Sequence, residues 1–167
     1  MNKRTKKSLS VDDALARARK YCAYSERSRV EVARKLKEYG VMEGDIDMIL
    51  EKLVKEGFLN EKRFASAFAG GKFRMKKWGR NRIKIEMERK GLSSELISNG
   101  LSELPEKEYL DTIDGLLNKK WKMLQRRGTG NISKPTLADK QKLIRFVLQK
   151  GYEHDMVMNR MRKLGLL

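Results

Sequence analysis

The stretch Ile-Lys-Ile-Glu-Met-Glu-Arg-Lys-Gly-Leu, residues 83–92, has apolar residues at helical spacing and a glycine where a helix would end. The same pattern occurs around Gly40 and Gly151. Any amphipathic helices can be aligned on glycines, but these copies agree on both sides of the glycine, so three copies of one helix-turn-helix pair are the simplest explanation. The matching positions are Val32, Ile83 and Leu143, then Leu36, Met87 and Val147, then Val41, Leu92 and Tyr152, then Leu50, Leu101 and Met161.

A further candidate helix precedes each pair, at 11–24, 61–77 and 106–126. The sequence therefore predicts an all-α protein of three tandem three-helix repeats. Because such repeats contact mainly their neighbours, we expect an elongated, curved right-handed-helix array. The predicted organisation is a basic disordered tail at 1–10, repeat 1 at 11–57, repeat 2 at 58–104, and repeat 3 at 105–167 with an internal loop at 127–136.

Start and stop signals accompany the periodicity. Glycine is favoured directly after a helix because it adopts the left-handed backbone without steric cost, and Ser or Asn is favoured at the start because its side chain accepts a free amide. The predicted stops are Gly40, Gly57, Gly91 and Gly151, and the predicted caps are Ser10 with Asp13, Ser28 with Glu31, Asn60, and Ser93 or Ser94.

The charge of the chain predicts a polyanionic partner. Lys and Arg number 39 against 22 Asp and Glu, which gives a net charge of +17. Such a charge destabilises a compact chain by self-repulsion unless a polyanion screens it. The excess is concentrated in three segments, 3–7, 72–90 and 119–127.

The two internal basic segments hold the candidate nucleic-acid-binding residues. Cations at this density near a predicted turn can face a phosphate backbone, and binding would then depend steeply on salt and little on base sequence. The alternatives are a solvated face and, for the second segment, the favourable dipole at a helix C-terminus. The candidates are Lys72, Arg74, Lys76, Lys77, Arg80, Arg82 and Lys84, followed by Lys119, Lys120, Lys122, Arg126 and Arg127.

Three aromatic residues lie inside these basic segments. An exposed ring there can stack on an unpaired base of single-stranded DNA, although such rings more often belong to the core. Burial is predicted for Phe73 and Trp121, whereas Trp78, next to Gly79, fits either interpretation.

Enzyme patterns do not fit this sequence. His154 is the only histidine and Cys22 the only cysteine, so neither a histidine cluster nor a thiol pair is available for a metal. We therefore predict a non-enzymatic protein without a cofactor or metal. A lone cysteine suits a reducing compartment, and no run approaches the roughly 18 apolar residues of a membrane span, so a cytoplasmic protein without a membrane partner is expected.

Three segments resemble motifs of the RecX family. Residues 26–36, Glu-Arg-Ser-Arg-Val-Glu-Val-Ala-Arg-Lys-Leu, resemble its opening motif. Residues 57–65, Gly-Phe-Leu-Asn-Glu-Lys-Arg-Phe-Ala, with the later Lys-Gly-Leu-Ser at 90–93, are similar to its central motif, and residues 142–152 to its C-terminal one. The departures are Ser25 in place of a basic residue, Asn60-Glu61 in place of an Asp pair, and Ala69-Gly70-Gly71, which is expected to interrupt a helix.

The resemblance implies three tandem three-helix repeats and a monomeric regulator in DNA repair and recombination. Such a protein binds RecA and the single-stranded DNA of its filament, and inhibits RecA recombinase, ATPase and SOS-related activity; no catalytic residue is implied. Two alternatives remain, a stand-alone nucleic-acid-binding protein that needs no RecA and a protein-interaction scaffold. The partner-binding candidates, which can equally form pairs within the chain, are Arg27, Arg29, Arg34 and Arg63.

Overall fold

The computed structural model describes residues 9–127 and 134–167, and the regular structure in these ranges is entirely α-helical. This confirms the predicted all-α class. Residues 1–8 of the predicted tail and 128–133 of the predicted loop lie outside the described residues. The helices are α1 (Val11–Tyr24), α2 (Arg29–Glu38), α3 (Glu43–Lys55), α4 (Glu61–Lys76), α5 (Arg80–Arg89), α6 (Ser94–Ser102), α7 (Glu106–Arg127), α8 (Leu137–Leu148) and α9 (His154–Lys163).

The predicted stop glycines have the expected left-handed backbone. Their φ angles run from +75° at Gly57 to +94° at Gly151, and a side chain is strained at such angles. The predicted caps are present as well, and Ser28 forms a reciprocal capping box with Glu31. The remaining cap bonds are from Asp13 N to Ser10 Oγ, from Arg63 N to Asn60 Oδ1 and from Leu96 N to Ser93 Oγ.

The predicted interruption at Ala69-Gly70-Gly71 is wrong, because α4 runs through all three residues. Glycine weakens a helix by about 1 kcal/mol relative to alanine, but burial of a helix face outweighs that preference. Here Ala69 and Phe73 are buried, one turn apart. Gly70 also makes room for Arg74, since an added Cβ would lie 2.7 Å from its Nη1 atom.

Contacts divide the chain into two compact units, and the first contains the residues up to Ala67 together with Met87–Asn99. Helices α1, α2 and α3 surround its main core. The apolar positions of the first repeat copy form this core, which confirms that the aligned pattern marks buried faces. Among its buried residues are Ala14, Leu15, Ala18, Val32, Leu36, Ile46, Ile49, Leu50 and Leu53.

The second unit contains Phe68–Glu86 and Gly100–Leu167. Helices α7, α8 and α9 pack on one another in it. Its borders with the first unit fall within α4, α5 and α6, whereas the predicted repeat boundaries fall at 57/58 and 104/105; the latter stay a prediction. The buried side chains of this unit include Tyr109, Ile113, Leu117, Trp121, Leu143, Val147, Val157 and Met161.

Candidate nucleic-acid interface

The turn between α4 and α5, residues 77–79, lies within the first basic segment and is hydrogen-bonded to the turn between α8 and α9. The Gly79 amide donates to the Lys150 carbonyl at 2.8 Å, and the Asn81 amide donates to the Gly151 carbonyl at 3.0 Å. The Tyr152 hydroxyl donates to the Lys77 carbonyl at 3.1 Å. Three hydrogen bonds therefore fix the backbone from which the basic side chains project.

Two glycines allow this contact. An added Cβ on Gly79 would meet the Gly151 carbonyl group and lie 2.5 Å from the Tyr152 nitrogen. An added Cβ on Gly151 would in turn lie 2.5 Å from the backbone nitrogen of Arg82. The close approach of the two turns therefore requires glycine on both sides, which explains why Gly79 follows the helix end.

Arg80 differs from the exposed cations of this segment because it is half-buried. Its guanidinium contacts Glu106 at 2.7 Å and Glu153 at 3.4 Å, and stacks 4.1 Å from the ring centre of Tyr109. The Tyr109 hydroxyl donates to Glu153 at 2.6 Å and accepts the Arg80 amide at 2.8 Å. Burial, followed by the bond to Glu153, raises the pKa of Tyr109 far above its usual value, so the phenol keeps its proton. The structure thus gives Arg80 carboxylate partners, and its predicted phosphate contact stays a prediction.

Most other cations of the first segment reach solvent. Arg74, Lys76, Lys77, Arg82 and Lys84 are exposed, and Lys72 is half-buried. Cations with free access to solvent can exchange their hydration for contact with phosphate.

Two of these cations, Lys72 and Arg82, contact the Trp78 ring. This half-buried ring lies 5.2 Å from Lys72 Nζ and 4.2 Å from Arg82 Cζ, which are cation–π distances. Phe73 and Trp121, in contrast, are 2% and 8% exposed, which confirms the prediction that they are core residues. Trp78 is therefore the one ring of the three that is not buried.

The second basic segment lies on the C-terminal half of α7. Lys119, Lys122 and Arg126 are exposed there. Lys120 is half-buried and lies 5.1 Å from the ring centre of Phe146. Arg127 is the last residue of α7, and its side chain lies outside the described part of the chain.

Two open hollows within the second unit join the basic segments. One, of about 500 Å³, is lined by Lys77 from the turn and by Lys119 from α7. The other, of about 400 Å³, shares Lys119 and continues to Lys122 and Arg126. The residues that complete the two linings are Glu108, Asp111, Thr112, Gly115 and Leu116 in the first and Gly115, Asn118 and Met123 in the second.

The α7 residues of this groove, Thr112, Gly115 and Asn118, were not among the sequence candidates. Helical spacing in the sequence could have indicated these residues. Positions at intervals of four and three share one helix face, and this face of α7 contains 108, 112, 115, 119, 122 and 126. The missing information is that this face opens next to the turn at Lys77.

The arginines proposed as partner-binding residues mostly have partners within the first unit. Arg29 pairs with Glu51 at 2.9 Å. Arg63 pairs with Glu26 at 2.8 Å, and the Arg27 guanidinium lies 4.2 Å from the ring centre of Tyr21. Arg34 is exposed. Arg29 and Arg63 thus form intramolecular ion pairs, whereas Arg27 contacts a ring; a role of the four arginines in partner binding stays a prediction.

The described residues contain neither a cluster of metal ligands nor a membrane-spanning helix. No group of three or more His, Cys, Asp or Glu there is arranged to hold a metal ion. None of the described helices combines the length and the apolar character needed to cross a membrane.

A basic, helical-repeat protein is the class that the fold and the groove define. Two sequence models match the chain, that of the RecX first three-helix domain over residues 14–53 and that of the RecX second three-helix domain over residues 60–101. Proteins named Regulatory protein RecX from Clostridium perfringens and Bacillus cytotoxicus are 33% identical over 138 residues and 26% identical over 147 residues. The chain belongs to the RecX family.

Solved structures have the same fold. The crystal structure of RecX from Lactobacillus salivarius superposes with a TM-score of 0.80 at 21% identity, over 94% of this chain and 97% of that one. A crystal structure of regulatory protein RecX gives 0.73 at 18% identity, over 89% and 73% of the two chains. The sequence matches cover 83% and 88% of this chain but only 62% and 52% of the Clostridium and Bacillus proteins, so this chain spans little more than half of their length.

Proposed function

We propose that this chain is a cytoplasmic, monomeric, non-enzymatic regulator that binds RecA together with single-stranded DNA in the RecA filament and inhibits RecA recombinase, ATPase and SOS-related activity. The name carried by its relatives supports a regulatory role. The observation that carries the DNA contact is the groove of the second unit, which joins the two basic segments through Lys77 and Lys119.

The exposed cations of the two basic segments, of which Lys77, Lys119, Lys122 and Arg126 line the groove, suit a phosphate backbone. Each phosphate that a cation neutralises releases condensed counterions, and for single strands the logarithm of the binding constant falls with the logarithm of salt by about 0.7 per phosphate. If the seven exposed cations named next all contact phosphate, the slope is about −5. They are Arg74, Lys76, Lys77, Arg82, Lys119, Lys122 and Arg126.

The test is RecA ATPase on single-stranded DNA with sub-stoichiometric amounts of this protein. We expect wild type to inhibit and the charge-reversed variant Lys76→Glu/Lys77→Glu/Arg82→Glu to lose most of that inhibition. Arg80 is left unchanged because a glutamate there would face Glu106 and Glu153 and destabilise the fold.

A matched control reverses three exposed lysines of the first unit, Lys20→Glu/Lys55→Glu/Lys62→Glu. It changes the net charge equally, so it separates a local contact from general attraction. Equal loss of inhibition in both variants contradicts a specific role of the first basic segment.

The alternative is a stand-alone, sequence-nonspecific nucleic-acid-binding protein. The same cations favour it, because a basic groove does not by itself need RecA. Binding to bare single strands is measured at physiological salt, because contacts made by charge alone weaken sharply as salt rises. If wild type binds tightly there and leaves RecA ATPase unchanged, this alternative replaces the first proposal.

A further inference from the structure

Lys77 has an unusual backbone for a lysine. Its φ is +54°, and among the described residues it is the one non-glycine with a positive φ. The helix ends at Gly40, Gly57, Gly91 and Gly151 use glycine for the same left-handed position. A lysine there carries a steric cost that glycine avoids.

Neighbouring groups hold this backbone in place. The Lys77 amide donates to the Phe73 carbonyl at 3.0 Å, and its carbonyl accepts the Tyr152 hydroxyl at 3.1 Å. Glycine would make both backbone bonds equally well. The fold therefore requires the left-handed conformation at this position and gives no reason for the lysine side chain.

The side chain lies where the groove needs a cation. Lys77 is exposed and lines the same hollow as Lys119, and Lys119 also lines the hollow that continues to Lys122 and Arg126. Without Lys77, the cations of α4 and α5 and those of α7 would form two separate groups.

Carboxylates line only one end of the described groove, so its two ends differ in charge. Glu108 and Asp111 line its end towards the start of α7, and Asp111 accepts a 3.1 Å bond from Lys107. The described lining beyond Lys119 contains no acidic residue. An anionic strand is therefore repelled from the start of α7 and attracted along its C-terminal half.

We infer that Lys77 is a dedicated phosphate-binding residue that joins the α4–α5 turn and the C-terminal half of α7 into one track for a single strand of nucleic acid. This inference rests on the DNA contact of the proposed function. It assigns to the strained lysine the role of bridging the two basic segments.

The test compares Lys77→Gly with wild type in two measurements on the full chain, binding of a fluorescent oligo(dT) strand at several low salt concentrations and thermal melting. We expect about a tenfold loss of affinity and a salt slope smaller by about 0.7, the value of one phosphate contact. The melting temperature should stay the same or rise by up to roughly 2–4 °C, because glycine relieves the strain of the left-handed backbone. Lys77→Arg, which keeps the charge, should bind nearly as wild type.

Lys20→Gln is the control for loss of one exposed positive charge in the first unit and should change the affinity little. Unchanged binding by Lys77→Gly would overturn the inference. So would a loss of affinity accompanied by a lower melting temperature, because the lysine would then support the turn itself. Absence of oligo(dT) binding by wild type also overturns it, whereas the RecA ATPase assay decides the proposed function separately.

Discussion

Gly79 lies against the Gly151 carbonyl group so closely that it has no room for a side chain, and the Gly79 amide donates a 2.8 Å hydrogen bond to the Lys150 carbonyl. This contact places the basic α4–α5 turn on the turn that follows α8. It is the structural basis of the proposed groove, because the position of Lys77 depends on it.

The first prediction concerns this contact between the two turns. Gly79→Ala should lower the free energy of unfolding by about 1–3 kcal/mol, because the new methyl group forces backbone apart. Urea denaturation measures the change. Gly71→Ala is the matched control: its Cβ meets nothing within 4 Å, and alanine in a helix should stabilise by about 0.5–1 kcal/mol. Equal effects of the two substitutions would contradict the close approach.

The second prediction separates two arginines of the same basic segment. Arg80→Gln should lower the free energy of unfolding by about 2 kcal/mol, because it removes the hydrogen bonds that the Arg80 guanidinium donates to the carboxylates of Glu106 and Glu153 in a partly buried site. Arg82→Gln should change it by less than about 1 kcal/mol, since it loses only exposed contacts, one with the Trp78 ring and a long 3.4 Å hydrogen bond to the Gln149 carbonyl.

Chemical denaturation of both variants, with oligo(dT) binding as a second measurement, checks this distinction. Arg82→Gln should weaken binding while the protein stays stable. If instead Arg80→Gln is as stable as wild type and binds less DNA, the ion pairs with Glu106 and Glu153 do not stabilise the fold. The predicted phosphate contact of Arg80 would then be supported.

The third prediction concerns acid stability of the first unit. Burial raises the pKa of Glu31, but hydrogen bonds from Lys90, at 2.6 Å, and from the Ser28 amide outweigh burial and hold the pKa below its ordinary value of 4.5. A depressed folded pKa means that the stabilisation is complete above the unfolded pKa and is lost as the pH falls through the folded one.

Glu31→Gln should therefore reduce the loss of stability between neutral pH and pH values below 4.5, and Lys90→Met, which removes the partner, should reduce it as well. Urea denaturation across this pH range measures both variants. Stability curves of wild type and Glu31→Gln that run parallel through the acid range would show that Glu31 titrates alike in the folded and unfolded chain.

Local patterns were sufficient for the helices and their ends. Apolar spacing marked Val32, Leu36, Ile83 and Met87 as buried, and all four are 0% exposed. The glycine stops followed from the steric freedom that glycine alone has at positive φ. The prediction failed at Ala69-Gly70-Gly71, where packing of the surrounding helix outweighed the weak helix preference of glycine.

The sequence by itself determined the helical class, the repeated core pattern and the density of positive charge, because each depends on residue type and on spacing along a few turns. Only the tertiary structure decided which cations are available. Arg80 and Arg82 are two residues apart in one basic run, yet Arg80 meets carboxylates from 26 and 73 residues away and Arg82 does not. Helical periodicity fixes which face a side chain occupies, whereas its distant partners are fixed only when the helices pack.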